Sequence, residues 1–204
     1  MKTNKNTKVL VTLGLLTAIM LIMSFTPLGY LNIGPLAITL NVIPLAIAAI
    51  SLGPKGGAII GGIFGITSFL QCIGIGGTSA MGVICFEISP LFTFLQRVVP
   101  RVLDGLLVGY IFIFLKKRIN ITFACAIAGF LAAFLNTLFF MSLLVILFGN
   151  TDYIKGLIGG RNVIVFICSF VGINAVFEIL ASTIITSAIG RAVFKLNLIH
   201  TSEN

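Results

Sequence analysis

Charged residues are scarce in this chain. Only 9% of its 204 residues are Asp, Glu, Lys or Arg, whereas 58% are hydrophobic and the mean hydropathy is +1.19. A soluble domain carries roughly 25% charged residues, so this composition indicates a membrane protein. The formal net charge is +8. Because the basic residues stand in short tails and turns between apolar runs, they indicate topology in the lipid bilayer and not nucleic-acid binding.

Residues that carry catalytic chemistry are also few. The only histidine, His200, lies in the polar tail, so neither an embedded metalloprotease motif nor a Ser-His dyad is available. The five acidic residues include no close pair of aspartates like that of an aspartyl protease. The run Gly53-Pro-Lys-Gly-Gly has its lysine misplaced for a phosphate-binding loop. We therefore expect no enzyme activity, no ATP hydrolysis by the chain itself, no catalytic residues and no metal or cofactor.

The four cysteines show no C-x-x-C pattern, which excludes the usual zinc and redox motifs. They are Cys72, Cys85, Cys125 and Cys168. We expect them to act as small apolar packing residues. Cys72 and Cys85 flank one loop and could pair outside the membrane, although nothing in the sequence requires it.

Long apolar runs predict an all-α polytopic membrane protein with six transmembrane helices in a single domain, residues 1–204. A bilayer core of about 30 Å needs roughly 20 helical residues, and shorter helices are admissible inside a bundle. The first run has no small-residue cleavage site after it, so we interpret it as a retained span. The turn Gly53-Pro54-Lys55 separates two short runs, which predicts a tight helical hairpin. The predicted spans are Val9–Pro27, Ile38–Leu52, Gly56–Cys72, Pro90–Leu115, Ile121–Phe148 and Val163–Phe194.

The distribution of Lys and Arg predicts that both termini are cytoplasmic. With six spans, most basic residues fall on one side, and only Lys155 and Arg161 fall opposite. The extracytoplasmic loops are then residues 28–37, 73–89 and 149–162, long enough to form a lid. The middle loop is rich in glycine and small residues, as a mobile loop or a simple connector would be.

Small residues form two ridges at helical spacing. In lipid, such ridges let helix backbones approach closely and gain dispersion contacts. The first span has Gly14 and Ala18, and the third region has Gly53, Gly57, Gly61 and Gly65. Either ridge could pack inside the bundle or dock a separate membrane subunit.

Two arginines, Arg97 and Arg101, lie one helical turn apart inside the fourth apolar run. Placing an arginine near the bilayer centre costs roughly 2.5 to 3.5 kcal/mol on insertion scales, so each needs a partner, water or a bound anion. For Arg97 we favour a direct ligand contact, because a guanidinium can bind a carboxylate through two parallel hydrogen bonds. For Arg101 two alternatives stay open, a ligand contact or an ion pair with Asp104 or Glu178.

Further polar residues occur within or near the spans and could complete a binding pocket. Asn174 and Glu178 share one helical face, and Asn136 lies in the fifth span. Each could instead tie helices together, since interhelical hydrogen bonds contribute about 0.6 kcal/mol. The remaining candidates near the outer surface are Gln71, Thr67 and Glu87.

Several short motifs are spread over nearly the whole chain. They are Leu52-Gly-Pro-Lys-Gly-Gly57 with Gly61, Gly65 and Ser68, Pro100-Arg-Val-Leu-Asp-Gly105, Asn136-Thr137, and Asn174 with Glu178. Together they resemble the substrate-binding S components of energy-coupling factor (ECF) vitamin transporters. The stretch Phe86-Glu-Ile-Ser-Pro90 running into Pro100-Arg101 is most similar to pantothenate-type members. Those members typically have arginine and asparagine where Glu87 and Ser89 stand here.

The resemblance implies a six-helix protein that binds a small water-soluble vitamin from outside, pantothenate first among them. It also implies a transmembrane coupling subunit and two cytoplasmic ATPases as partners, contacted through Gly14 and Ala18 on the first helix. The expected substrate-binding residues are Arg97, Arg101, Asn136, Asn174, Glu178 and Gln71. Two other classes stay open: an ion-coupled secondary transporter or channel, with Arg101, Asp104 and Glu178 as a proton relay, and a purely structural subunit.

Overall fold

The computed structural model describes residues 5–32, 37–77 and 79–195, which form a helical bundle with one short β-hairpin. His200 lies outside the described residues. The helices are α1 (Lys5–Phe25), α2 (Val42–Leu70), α3 (Ala80–Ile88), α4 (Pro90–Leu115), α5 (Ile121–Phe148), α6 (Asp152–Ile158) and α7 (Val163–Lys195). Strands β1 (Tyr30–Asn32) and β2 (Ala37–Thr39) pair antiparallel, and a 3₁₀ turn covers Gln71–Ile73.

Five stretches of the described residues are long and apolar enough to cross a membrane. They are Asn6–Phe25, Val42–Ile73, Pro90–Leu115, Ile121–Phe148 and Asn174–Lys195. The predicted bounds of the fourth and fifth spans are those of α4 and α5. The all-helical class is therefore confirmed, while six spans and cytoplasmic termini stay predictions.

Helix α2 contains a sharp reversal at Gly53, where the sequence predicts a turn. Gly53 has φ 74° and ψ −166°, a left-handed backbone that favours glycine. In a straight helix, residues eight positions apart lie about 12 Å apart along the axis. A Cβ built on Gly57 would nevertheless lie 3.0 Å from the Cβ of Ala49. The first half of α2 thus folds back along the second, and its side chains are buried in the core.

The glycine ridge of α2 packs inside the bundle, against α4. A Cβ on Gly57 would meet the carbonyl of Gly105, and one on Gly61 would meet the carbonyl of Arg101. Only glycine allows the two backbones to approach this closely. The ridge on α1 differs, because a Cβ on Gly14 would meet no atom of the described residues within 4 Å.

Two of the predicted extracytoplasmic loops contain short helices that were not predicted from the sequence. Residues 73–89 hold α3, and residues 149–162 hold α6. Each helix begins with a hydroxyl N-cap: Ser79 accepts from the Gly82 N–H, and Thr151 accepts from the Ile154 N–H. These caps explain how short segments rich in turn residues form helices. The four cysteines are free thiols, and three of them are buried.

Candidate functional site

A cavity of about 580 Å³ lies at the end of the bundle where α1 and the second half of α2 terminate. Ligand pockets typically measure about 300 to 1,000 Å³. Its walls come from the ends of α1 and α2, the β-hairpin, the segment that enters α3, and the facing sides of α4, α5 and α7. The lining includes all six residues expected to bind substrate: Arg97, Arg101, Asn136, Asn174, Glu178 and Gln71.

Arg97 projects from α4 towards the start of α3, and only 7% of it is exposed. Its Nη1 donates to the Ser68 hydroxyl at 3.4 Å and its Nη2 donates to the Ser79 hydroxyl at 3.3 Å. Its guanidinium also lies 5.1 Å from the ring centroid of Phe140. The Nε atom is buried and has no hydrogen-bond partner among the described residues. The side chain is thus held in place by neutral groups, with donor capacity left over.

Arg101 lies one turn deeper, with 3% of its surface exposed. Its Nη1 donates to the carbonyl of Arg97 at 2.6 Å. Its guanidinium lies 4.3 Å from the ring centroid of Phe64 and 5.4 Å from that of Phe140. Aromatic faces attract cations electrostatically, more strongly where water is excluded. Phe140 therefore contacts both arginines and stabilises both charges.

Neither arginine forms an ion pair with a carboxylate in the part of the chain that the structure describes. Asp104 is fully buried, does not line the cavity, and has no hydrogen-bond partner for either carboxylate oxygen among the described residues. With Arg97, Arg101 and Glu178 all ionised, the charged side chains of the described lining sum to one positive charge. The cavity is therefore suited electrostatically to an anion.

Glu178 lines the cavity from α7, but its carboxylate also contacts the hairpin. Its Oε1 accepts a hydrogen bond from the backbone N–H of Thr39 at 2.7 Å. Thr39 is the last residue of β2, and both residues are buried. The carboxylate thus fastens the hairpin to α7 at the edge of the cavity.

Amide side chains complete the polar lining. Asn136 is 5% exposed, and its Oδ1 has no hydrogen-bond partner within the described residues. Gln71 donates to the carbonyl of Ser24 at 2.6 Å, which ties the 3₁₀ turn to the end of α1. Of the other candidates, Thr67 does not line the cavity and donates to the hydroxyl of Ser24, which does, and to the Phe64 carbonyl. Glu87 is exposed and lies outside the cavity.

Several lining residues were missed by sequence reasoning. Phe140 follows Asn136 by one helical turn and so shares its face, a signal that the sequence contains. Tyr30 and Thr39 come from the β-hairpin, Ser68 from α2 and Ser79 from the N-cap of α3. Their positions depend on how the elements pack, and no residue spacing indicates them.

The small residues of α1 lie on its exposed side, away from the cavity. Gly14 and Ala18 are both exposed. Large apolar side chains surround them: Leu10 is 70% exposed, Val11 64% and Leu15 60%. The described residues of the bundle leave this face uncovered, so it is available to lipid or to another membrane protein.

Comparison with known proteins identifies the family. Residues 8–190 match the family model described as ECF transporter, substrate-specific component. The chain belongs to this family. Over 197 residues, this ECF component is also 33% identical to the pantothenate transporter PanT of Leuconostoc mesenteroides subsp. mesenteroides, with 92% of each chain covered.

Family membership gives the protein its general role. An ECF substrate-specific component is a vitamin-binding subunit of a transporter and works with ECF partner modules, so this is a transport family and not an enzyme family. Family membership and the five long apolar helices of the described residues together identify the protein as a multi-pass protein of the cell membrane.

Proposed function

We propose that this ECF component captures pantothenate from outside the cell for uptake driven by ATP hydrolysis in partner subunits. The observation that carries the proposal is the pair of buried guanidiniums, Arg97 and Arg101, which share one cavity without an acidic ion-pair partner among the described residues. A buried cation of this kind calls for an anionic ligand. The relative named pantothenate transporter supports the choice of vitamin.

The chemistry of pantothenate matches the lining of the cavity. The molecule has one carboxylate, one amide and two hydroxyls. Arg97 would bind the carboxylate, because it lines the cavity and the two serine hydroxyls occupy only two of its five N–H donors. Asn136 and Asn174, on α5 and α7, would bind the amide or the hydroxyls, and Arg101 would add positive potential beneath them.

The partners that we propose are a transmembrane coupling subunit and two cytoplasmic ATPases. The coupling subunit would dock on the exposed face of α1 around Gly14 and Ala18. Small residues on such a face let another helix approach closely, and the neighbouring leucines and valine offer apolar contact.

A thermal-unfolding screen of the purified protein in detergent against the B vitamins tests the capture function. Pantothenate at 100 times its dissociation constant should stabilise the protein by about 2.7 kcal/mol. The other vitamins should leave the unfolding temperature unchanged at equal concentration. A larger shift with another vitamin would replace pantothenate as the substrate, and no shift with any vitamin would contradict capture altogether.

An ion-coupled secondary transporter is the alternative function, and the structure does not favour it. Its relay would need Arg101, Asp104 and Glu178 in contact, yet no hydrogen bond or ion pair joins any two of them among the described residues. Uptake by proteoliposomes that contain this chain alone distinguishes the two functions. A proton gradient without ATPase partners should drive no uptake under our proposal.

A further inference from the structure

We propose that the amino terminus of α3, together with Arg97, forms an anion subsite that binds the carboxylate of the substrate. The proposal rests on the capture function above and assigns one end of the cavity to one chemical group. Ser79, Ala80 and Met81, which open α3, all line the cavity with Arg97. The helix thus presents its positive end to the same space as the guanidinium.

Two backbone donors of α3 are available to such a ligand. The first N–H groups of a helix have no intrahelical acceptor. The hydroxyl of the N-cap residue Ser79 accepts a hydrogen bond from the Gly82 N–H at 3.3 Å, and its carbonyl accepts one from the Val83 N–H at 2.9 Å. This leaves the N–H groups of Ala80 and Met81, at the edge of the cavity. Helix amino termini of this kind bind carboxylates and phosphates readily.

Arg97 approaches this helix end closely because residue 82 is glycine. Its Nη2 lies 3.3 Å from the Ser79 hydroxyl. A Cβ on Gly82 would stand 2.8 Å from the same Nη2 and 2.6 Å from the Cys72 sulfur. Any larger residue would therefore move the guanidinium away from the helix. Arg97 is more than nine-tenths buried and forms no ion pair among the described residues. The guanidinium and the amino terminus of α3 are therefore two separate indications of a bound anion.

The charge and the remaining polar groups indicate a monoanion. With Arg97, Arg101 and Glu178 all ionised, the described lining carries one net positive charge, which a single carboxylate neutralises. A carboxylate has two oxygens, so one can accept from Arg97 while the other accepts from α3. Asn136 lines the same cavity, and its side-chain amide is then left for a polar group elsewhere on the same ligand.

The experiment compares pantothenate with its alcohol analogue, in which the carboxylate is replaced by CH2OH, in two variants of α3. Ala80→Pro removes one backbone donor at the first helical position, where proline is favoured. The preceding Ser79 has φ −96° and ψ 104°, as a residue before proline requires. Gly82→Ala pushes the guanidinium away. Each variant should weaken pantothenate binding by about tenfold and leave binding of the alcohol within about twofold.

Helix α6 provides matched controls outside the cavity. Asp152→Pro also places proline at a first helical position after an extended N-cap, and Gly156 has open space around its Cβ position. Asp152→Pro and Gly156→Ala should keep the wild-type preference for pantothenate over the alcohol.

The outcomes separate this inference from the capture function. A preference unchanged in both α3 variants would overturn the subsite while leaving capture in place. Should Gly82→Ala not fold, Ala80→Pro decides alone, because Ala80 is exposed and a proline ring there does not enter the packed core. Wild-type protein that binds neither compound would overturn the capture function and the subsite together.

Discussion

At the scale of single residues, the two arginines dominate the energetics of the cavity. A buried ion without a partner costs several kcal/mol, and the protein lowers that cost for Arg97 and Arg101 with aromatic rings, serine hydroxyls and a backbone carbonyl. These groups are neutral, so they do not offset the positive charge of either guanidinium. A bound anion would neutralise this buried positive charge.

Arg97→Ala should weaken vitamin binding by at least about tenfold, because a hydrogen bond to a charged group contributes about 1.5 to 3 kcal/mol. Isothermal titration calorimetry measures the affinity, and thermal unfolding without vitamin shows whether the fold is intact. Arg161→Ala is the control, since Arg161 is exposed and lies outside the cavity. Unchanged affinity in Arg97→Ala would remove this residue from the site.

Glu178 allows a sharper test, because its carboxylate holds the β-hairpin through the Thr39 N–H. Glu178→Gln keeps an oxygen acceptor at this position, whereas Glu178→Ala leaves a buried N–H without a partner. We therefore expect Glu178→Ala to raise the dissociation rate of the vitamin by about tenfold. Glu178→Gln should change it by less than about threefold. Equal losses in both variants would show that the negative charge itself contacts the substrate.

At the scale of elements, the packing of α2 on α4 positions the arginines. The Gly61 backbone lies against the carbonyl of Arg101, so the distance between the two helices depends on the absence of a side chain. The reversal at Gly53 adds a buried layer of apolar side chains behind the same contact. The position of the wall that carries Arg97 and Arg101 therefore depends on this close packing of α2 on α4.

Gly61→Ala should destabilise the protein by about 1 to 3 kcal/mol, because the added methyl overpacks a helix contact. Gly62→Ala is a matched control in the next position, where a Cβ would lie at an ordinary 3.7 Å from Val102. It should be neutral or slightly stabilising, since alanine has the higher helix propensity. Thermal unfolding in the same detergent compares the two. Equal unfolding temperatures for both variants would contradict the close contact.

At the scale of the whole molecule, a substitution on the coupling surface should abolish uptake without changing vitamin binding. Ala18→Leu enlarges the exposed α1 face without reaching the cavity, so vitamin affinity should stay at the wild-type value while uptake into cells stops. Ala188→Leu makes the same change on an exposed position of α7 and should leave both quantities unaltered. Normal uptake by Ala18→Leu would exclude α1 as the coupling surface.

Much of the architecture could be predicted from local pattern. The bounds of α4 and α5 follow from apolar runs between polar caps, and the turn at Gly53 follows from its Gly-Pro dipeptide. Helices α3 and α6 were missed because each is short and begins inside a stretch of turn residues. The hairpin of β1 and β2 was missed because three-residue strands leave no periodic signal.

The candidate site could likewise be predicted only in part from the sequence. Charged and amide residues inside apolar runs are visible in a sequence, because burial makes them costly. The six expected substrate-binding residues line one cavity, whereas Thr67, Glu87 and Asp104 do not. Ser68, Ser79 and Phe140 are ordinary residues in ordinary contexts, and only their contacts with Arg97 give them a role.

By itself the sequence determined that the protein is a helical membrane protein with costly cations in its apolar runs, since hydropathy and helix formation act over a few neighbouring residues. Only the tertiary structure decided that Glu178 holds the hairpin, that Asp104 stays outside the cavity, and that α3 turns its amino terminus towards Arg97. Those facts depend on packing between elements far apart in the chain, and no local pattern encodes such distances.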